Sequence, residues 1–399
     1  MTREPTAPDV GELSPPNRTL MGPGPSDVHP RVLRAMSTPL VGHLDPSFVE
    51  LMDEVQELLR YTFRTDNEWT IPVSGTGSAA MEAAIGNVVE PGDRMLVPTN
   101  GYFGGRMAEM AQRAGGDVVE VDAPWGEPLD PEDVAAAFDE HGDIDVFGFI
   151  HAETSTGVLQ PEVPELTSIA HEHDALVIAD TVTSIGGVEL RVDEWDIDVA
   201  YAGPQKCLSC PPGASPLTLN DAAMEKVLSR EEDARSWYLD LSLLEGYWGD
   251  ERAYHHTAPI TNVYALREAL RLVAEEGIEE RWARHRRVAG ALKAGFEAMG
   301  LSMNAPDEYW LPSLNAVRVP DGVDDGEVID YLLDAYDLEI ASGLGDLEGD
   351  IWRIGCMGHS ANPKNVTLVV SALGDALSRQ GADVDVGAAV EATARELEE

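Results

Sequence analysis

From Pro46 to Phe63, apolar residues return every three or four positions, at Phe48, Leu51, Met52, Val55, Leu58 and Leu59. That period predicts an amphipathic helix. A rigid turn, Met21-Gly-Pro-Gly-Pro-Ser26, and a short helix near residues 30–37 precede it. Beyond residue 63 the pattern becomes an alternation. Apolar, strand-like runs at 69–73, 94–98, 117–121, 146–151, 175–180 and 199–202 are separated by helical stretches, one running through Val89 and others at 103–114, 131–141 and 164–173. Strands alternating with helices of this length predict parallel βαβ units and an α/β fold, its sheet covered on both faces. Ligands of such sheets bind outside the carboxyl ends of the strands. Ser74, His151, Asp180 and Lys206 all fall at expected strand ends.

After Ile260 the pattern changes again. Two long helices, 260–276 and 278–299, the second rich in arginine from Arg281 to Arg287, lead into a mixture of strands and helices. Strands at 315–319, 338–341 and 351–354 and helices at 326–336 and 363–379 predict a smaller α+β unit. The acidic tail from Asp383 carries Val384, Ala388, Val390 and Ala394, which allow a last surface helix. The expected division is an arm over residues 1–20 lying on another surface, a large unit over 21–280 and a small unit over 281–399.

Composition alters this picture mainly in its charge. The chain of 399 residues is 43% hydrophobic and 25% charged, as expected of a globular protein, yet its formal net charge is −45. Such a surface repels phosphate backbones and anionic lipid, which argues against nucleic-acid and membrane partners. The excess is spread along the whole chain, and arginine replaces most lysine. Both features fit adaptation to high salt, where screening removes self-repulsion. Three cysteines, Cys207, Cys210 and Cys356, are too few for a disulfide framework and imply a reducing, cytoplasmic setting. Cys207-Leu-Ser-Cys210 lacks a second Cys/His pair and runs into Pro211-Pro212, so no metal site is expected there. His171 and His173 lie two apart on a helix, and His255 and His256 adjoin in a loop, so core or surface roles are expected for them. No apolar run approaches membrane-spanning length, and the N-terminus lacks a signal-peptide pattern.

Candidate chemistry concentrates at three strand ends. Lys206 is one of only four lysines, with Lys226, Lys293 and Lys364, and those three sit in charged helical stretches. It follows the apolar run Val199-Ala-Tyr-Ala202 and a Gly203-Pro204 break. A partly desolvated amine loses its proton more easily and becomes a nucleophile for carbonyl carbon. An ordinary ion pair is the competing reading of Lys206. Ser74-Gly-Thr-Gly-Ser78 joins a strand to a helix, where glycines allow a tight turn and the helix start offers unpaired N–H groups to an anion. Many strand-to-helix turns look like this, and it is not a Walker A loop, because no Gly-Lys-Ser/Thr follows. Asp180 ends Ala175-Leu-Val-Ile-Ala179, and a buried carboxylate there calls for a cationic partner, either a protonated pyridine nitrogen or an arginine. Arg353 lies in an apolar strand and suits bidentate grip of a carboxylate. An anion cradle, a carboxylate and a lysine together specify pyridoxal phosphate, which needs a phosphate site, a counter-ion for its pyridinium nitrogen and a lysine Schiff base.

The chain resembles the class V (fold-type I) pyridoxal-phosphate aminotransferases, most closely the alanine–glyoxylate / serine–pyruvate aminotransferase group. The resemblance covers about Leu20 to Leu377. It rests on Gly22-Pro-Gly-Pro-Ser26, Ser74-Gly-Thr-Gly-Ser78, Glu90-Pro-Gly-Asp93, Asn100-Gly-Tyr-Phe-Gly104, Glu153-Thr-Ser-Thr-Gly-Val-Leu-Gln160, Ala179-Asp-Thr-Val182, Gly203-Pro-Gln-Lys206, Tyr254-His-His-Thr257 and Arg353-Ile-Gly355. The resemblance implies a mostly parallel, seven-stranded type of sheet with a smaller C-terminal domain, and a transaminase that moves an amino group from alanine or serine to glyoxylate or pyruvate. It implies Lys206 as the Schiff-base lysine and Asp180 on the pyridine nitrogen, with Val182 and Phe103 packing on the ring. Gly75, Thr76, Gly77, Ser78 and Gln205 would bind the phosphate, and Thr154 the ring hydroxyl. Gly24 and Arg353 would hold the substrate, Arg353 by its carboxylate. Tyr254 and Thr257 would reach the phosphate from a neighbouring subunit, which implies a homodimer with shared sites. Two positions depart from the group: Phe103 replaces the usual Trp, and Ser78 stands where others place His. Related activities on the same fold are aspartate, phosphoserine, aminoethylphosphonate and ureidoglycine transaminases, and less closely a lyase, a desulfurase or a silent binding protein. The loop Ser342-Gly-Leu-Gly-Asp-Leu-Glu-Gly349 lacks the cysteine a desulfurase needs.

Overall fold

The computed structural model describes residues 7–249 and 251–398. Its centre is a seven-stranded sheet of β1 (Trp69–Val73), β2 (Arg94–Thr99), β3 (Asp117–Asp122), β4 (Val146–Ile150), β5 (Leu176–Asp180), β6 (Val199–Tyr201) and β7 (Ser215–Leu219). Their spatial order is β1-β7-β6-β5-β4-β2-β3. Neighbours from β6 through β3 run parallel, as the alternation of strands and helices predicts. Every residue of β4 is buried, as a strand covered by helices on both faces requires.

β7 is the element the hydrophobic pattern does not announce. It runs antiparallel to both β1 and β6 and stitches β1 to the parallel strands. Pro211, Pro212 and Pro216 make this stretch read as loop, because proline lacks the ladder's N–H. The register resolves the conflict. Pro216 lies directly opposite Pro72, so neither has a donor to miss in a pair that exchanges no hydrogen bonds. The Pro216 carbonyl still accepts from Ala202 N at 2.8 Å.

The predicted helix Pro46–Phe63 forms with Asp45 as its cap, accepting from Ser47 N at 2.9 Å, and ends on Arg64 in the left-handed region. Phe48, Met52, Val55, Leu59 and Phe63 make its buried face. Helices Gly77–Val88 and Tyr102–Ala114 follow β1 and β2 directly and place their first turns at the carboxyl edge of the sheet. Helices Asp221–Leu228 and Leu241–Trp248 were not read from the sequence.

One apolar cluster spans Val32 to Ile278 and another joins Met21 to residues from Val288 to Ala389. The second surrounds a three-stranded antiparallel sheet of Leu314–Arg318, Ile351–Gly355 and Ala341–Ser342. The single strand expected over 338–341 is split. Leu338–Glu339 pairs in parallel with Thr19–Leu20, and Ala341–Ser342 joins the three-stranded sheet. The tail forms the helix Val386–Glu398, but Ala389, Ala392 and Thr393 face inward, while Ala388 and Ala394 are exposed. The close approach of Thr393 to Gly295, whose Cβ would collide with the threonine hydroxyl, selects that face.

Candidate active site

The sheet register builds the site. Ile150, Asp180 and Tyr201 sit side by side at the carboxyl ends of β4, β5 and β6. They line a cavity of about 180 Å³ together with Gly77, Ser78, Met81, Phe103, Arg106, Ala152, Thr154, Val182, Gln205 and Lys206. Asp180 and Lys206, predicted from separate strand ends, thus face one space.

Lys206 is 9% exposed. Burial, reinforced by the guanidinium of Arg353, lowers its ammonium to about 8. Its Nζ donates to the carbonyl of Pro23, and Gly24 lies against its stem. Gly24 has φ +105°, and a Cβ there would come within 2.7 Å of Lys206 Cδ. The Gly22–Ser26 turn also grips the lysine loop from behind, as Ser26 Oγ donates to the Lys206 carbonyl at 2.7 Å. On its other side the same turn meets the Arg353 strand, with Gly355 N donating to Met21 O at 2.7 Å.

Asp180 is 5% exposed and has no cationic partner within ion-pair distance among the described residues. Its oxygens accept from Val182 N at 2.9 Å and from the Tyr201 hydroxyl at 2.8 Å. Burial outweighs these bonds and raises the carboxyl to about 6. Thr154 Oγ1 meets Thr183 Oγ1 at 2.8 Å. Arg353 is buried, donates from Nε to Ser342 O at 2.8 Å, and is lowered to about 10 by burial.

The phosphate-loop residues divide. Gly77 and Ser78 line the cavity, whereas Gly75 directs its N–H to Gly213 O at 3.1 Å and Thr76 is the exposed cap residue of the following helix. Gly24 and Arg353 adjoin Lys206 without lining the cavity itself. Tyr254, 64% exposed, and Thr257, also exposed, lie outside it.

Three residues were missed. Tyr201 reads in sequence as one more apolar strand residue, and only the β5–β6 register brings its hydroxyl to Asp180. Glu153 adjoins Thr154 in the stretch Glu153–Gln160, where a lone acidic residue gives no sequence signal of burial. It is buried, raised to about 7 by that burial, and accepts from Phe103 N at 3.2 Å and Ser155 Oγ at 2.6 Å. It thereby pins the start of the helix that carries Phe103. Gly101 is required beside it, because a Cβ would overlap the Glu153 side chain. Arg106, one turn beyond Phe103, is the third.

The histidines take structural roles. His171 bridges Asp196 and Asp198 at 3.1 and 2.9 Å, His173 stacks on Phe138, and His256 Nε2 meets Ser74 Oγ at 2.6 Å.

Residues 22–345 match the family described as Aminotransferase class-V. The chain belongs to the class-V aminotransferases. It is 42% identical to the (S)-ureidoglycine–glyoxylate transaminase of Bacillus subtilis, covering 96% of this chain and 95% of that one. It is 40% identical to the alanine–glyoxylate aminotransferase of Mus musculus, covering 92% and 89%. Among solved structures, alanine–glyoxylate aminotransferase from Nostoc sp. superposes with a TM-score of 0.91 at 48% identity, covering 92% of this chain and 97% of that one. Ureidoglycine–glyoxylate aminotransferase from Bacillus subtilis superposes at 0.95 and 43%, covering 98% and 100%.

This class-V aminotransferase acts on amino and 2-oxo acids with pyridoxal phosphate, and its cavity fits that cofactor on three counts. Asp180 is a buried carboxylate with no cation at ion-pair distance among the described residues. Gln205 has a buried Oε1 without a hydrogen-bond partner among the described residues. Gly77 and Ser78 line the cavity at the first turn of the helix Gly77–Val88, where backbone N–H groups have no helical acceptor and suit an anion. Among the described residues no helix is long and apolar enough to cross a membrane.

Proposed function

We propose that this aminotransferase moves the amino group of a small neutral amino acid, alanine or serine, to glyoxylate or pyruvate, and that it does so as a homodimer with shared sites. The observation that carries the reading is the buried, readily deprotonated Lys206 amine in one cavity with Asp180, with Arg353 beside it. Relatives of two different donor specificities both carry glyoxylate in their names, which supports glyoxylate as an acceptor. Ureidoglycine as donor is the second reading, supported by a TM-score of 0.95 to the Bacillus subtilis ureidoglycine–glyoxylate aminotransferase over 98% of this chain.

Pyridoxal phosphate, when bound, supplies an electron sink that makes the substrate Cα–H acidic. Lys206 would hold the cofactor, and its amine, when free, is the base positioned to move the substrate Cα proton. Asp180, braced by Tyr201 and Val182, would hold the proton on the ring nitrogen. Phe103, Val182 and Thr154 line the cavity, where Phe103 and Val182 would cover the ring and Thr154 would meet its hydroxyl. Gly77, Ser78 and Gln205 hold the phosphate, with Gly75 and Thr76 shaping the turn. Gly24 and Arg353 seat the substrate, Arg353 through its carboxylate. Tyr254 and Thr257, exposed on the single chain, complete the phosphate site of a second copy. Residues 21–280 form the cofactor-binding unit and 281–399 the smaller one. The charge of −45 and three buried free cysteines support work in a reducing, salt-rich cytoplasm.

The test is a panel of alanine, serine, glycine, ureidoglycine and aspartate against glyoxylate, pyruvate and 2-oxoglutarate, run at high salt beside Lys206→Ala. Turnover confined to aspartate with 2-oxoglutarate overturns the substrate assignment. Unimpaired turnover by Lys206→Ala overturns the mechanism.

A further inference from the structure

Arg106 stands apart from the other charged groups near the site. The chain carries 72 acidic residues against 27 lysines and arginines, so a cation finds a carboxylate easily on this surface. Yet Arg106 makes no ion pair among the described residues. Glu109, on the same helix, pairs with Arg113 instead at 2.6 Å. Glu82 shares the adjoining groove without pairing with Arg106.

What holds Arg106 is aromatic. Its guanidinium carbon lies 4.9 Å from the centroid of Phe103 and 5.1 Å from that of Tyr102. Phe103 and Tyr102 precede it by three and four residues, so the helix Tyr102–Ala114 presents all three on one face. A cation on an aromatic face is held firmly while its N–H edge stays free to donate. Half-buried, that guanidinium lines the same cavity as Gly77, Ser78, Gln205 and Lys206. Its charge already acts on Asp180 and Tyr201 across that space.

We propose that Arg106 is a cofactor-binding residue that supplies the fixed positive charge for the cofactor's phosphate. The inference rests on the cofactor assignment above and adds a residue to it. A dianionic phosphate beside Gly77 and Ser78 gains from the helix start, but helix N–H groups carry only partial charge. Lys206 would be engaged by covalent attachment, and Arg353 does not line the cavity. Arg106 is the remaining side-chain cation that lines the cavity. Its stacking on Phe103 links the two tasks: the ring that covers the cofactor also orients the guanidinium that meets its phosphate. The guanidinium is thus left unpaired among the described residues and free for a ligand.

The test uses the cofactor-free protein, wild type and Arg106 variants, titrated by absorbance with pyridoxal phosphate and with pyridoxal, which lacks the phosphate. Inorganic phosphate is titrated by calorimetry. Arg106→Gln is expected to weaken pyridoxal phosphate about 10- to 100-fold, the range of one charge-assisted contact. Pyridoxal affinity stays unchanged, and binding of inorganic phosphate is lost. Arg106→Lys, which keeps the charge, recovers most of the loss. Equal weakening of both aldehydes shows that Arg106 only braces Phe103 and overturns the proposal. Unchanged affinity for pyridoxal phosphate, or Arg106→Lys no better than Arg106→Gln, overturns it too. Wild type that fails to develop Lys206-dependent absorbance sinks the cofactor assignment itself, a separate outcome.

Discussion

The Tyr201 hydroxyl donates a 2.8 Å hydrogen bond to Asp180 Oδ2, across adjacent parallel strands and at matched register. That bond favours the carboxylate over the acid, opposing the burial that raises Asp180 to about 6. Tyr201→Phe removes this donor and leaves Val182 N as the one hydrogen bond opposing burial. The Asp180 pKa then rises further, and the acid limb of the kcat/KM profile moves to higher pH, with kcat reduced about tenfold. An acid limb that stays in place with kcat unchanged contradicts the assignment.

The cofactor-free protein carries a pH signature of the same residue. With a folded pKa of about 6 against an ordinary 3.8, Asp180 binds its proton more tightly folded than unfolded. Folding is therefore favoured by this group at acid pH, and the advantage is lost as pH rises from about 4 to 6. Glu153, raised to about 7, acts in the same direction over a slightly higher window. Asp180→Asn abolishes only the first share. Thermal unfolding from pH 4 to pH 7 is expected to show wild type losing on the order of 2–3 kcal/mol relative to Asp180→Asn. A constant difference between the two proteins across that range refutes the buried, unpaired state of Asp180.

Gly24→Ala tests the turn that holds the lysine. The backbone sits at φ +105° and the added methyl meets the Lys206 stem. Strain of roughly 1–2 kcal/mol is expected from the backbone alone. The displaced lysine then attaches pyridoxal phosphate slowly or not at all, read as lost visible absorbance in a protein whose melting temperature falls by only a few degrees. Full absorbance at the wild-type rate tells against this packing.

Arg353→Gln separates substrate from cofactor. Loss of a bidentate carboxylate contact raises KM for the amino acid about 10- to 100-fold, while pyridoxal phosphate affinity holds at alkaline pH. Arg353 also depresses Lys206, so its removal raises the lysine pKa above about 8 and moves cofactor attachment to more alkaline pH. A variant with unchanged KM assigns the carboxylate to another group.

Much of this enzyme was legible in one dimension. The strand–helix alternation announces the parallel sheet because both periods are written directly in apolar spacing, and Lys206 stood out because lysine is scarce. Asp180 was visible as a charge ending an apolar strand. β7 was hidden because its prolines are tolerated only where the register sets Pro216 against Pro72. The tail helix was found, but its inward face was not, because alanines at many positions leave the choice to the helix it packs against.

The sequence alone determined which residue types are present for the chemistry and which strand ends offer them, since local patterning depends only on neighbours along the chain. Tertiary structure alone decided that Tyr201 braces Asp180, that Glu153 anchors the Phe103 helix, and that Arg106 turns an unpaired guanidinium toward the cavity. Each of these is a contact between segments tens of residues apart or a balance of burial against charge. Such contacts exist only once strand register and helix packing fix distances that sequence separation does not encode.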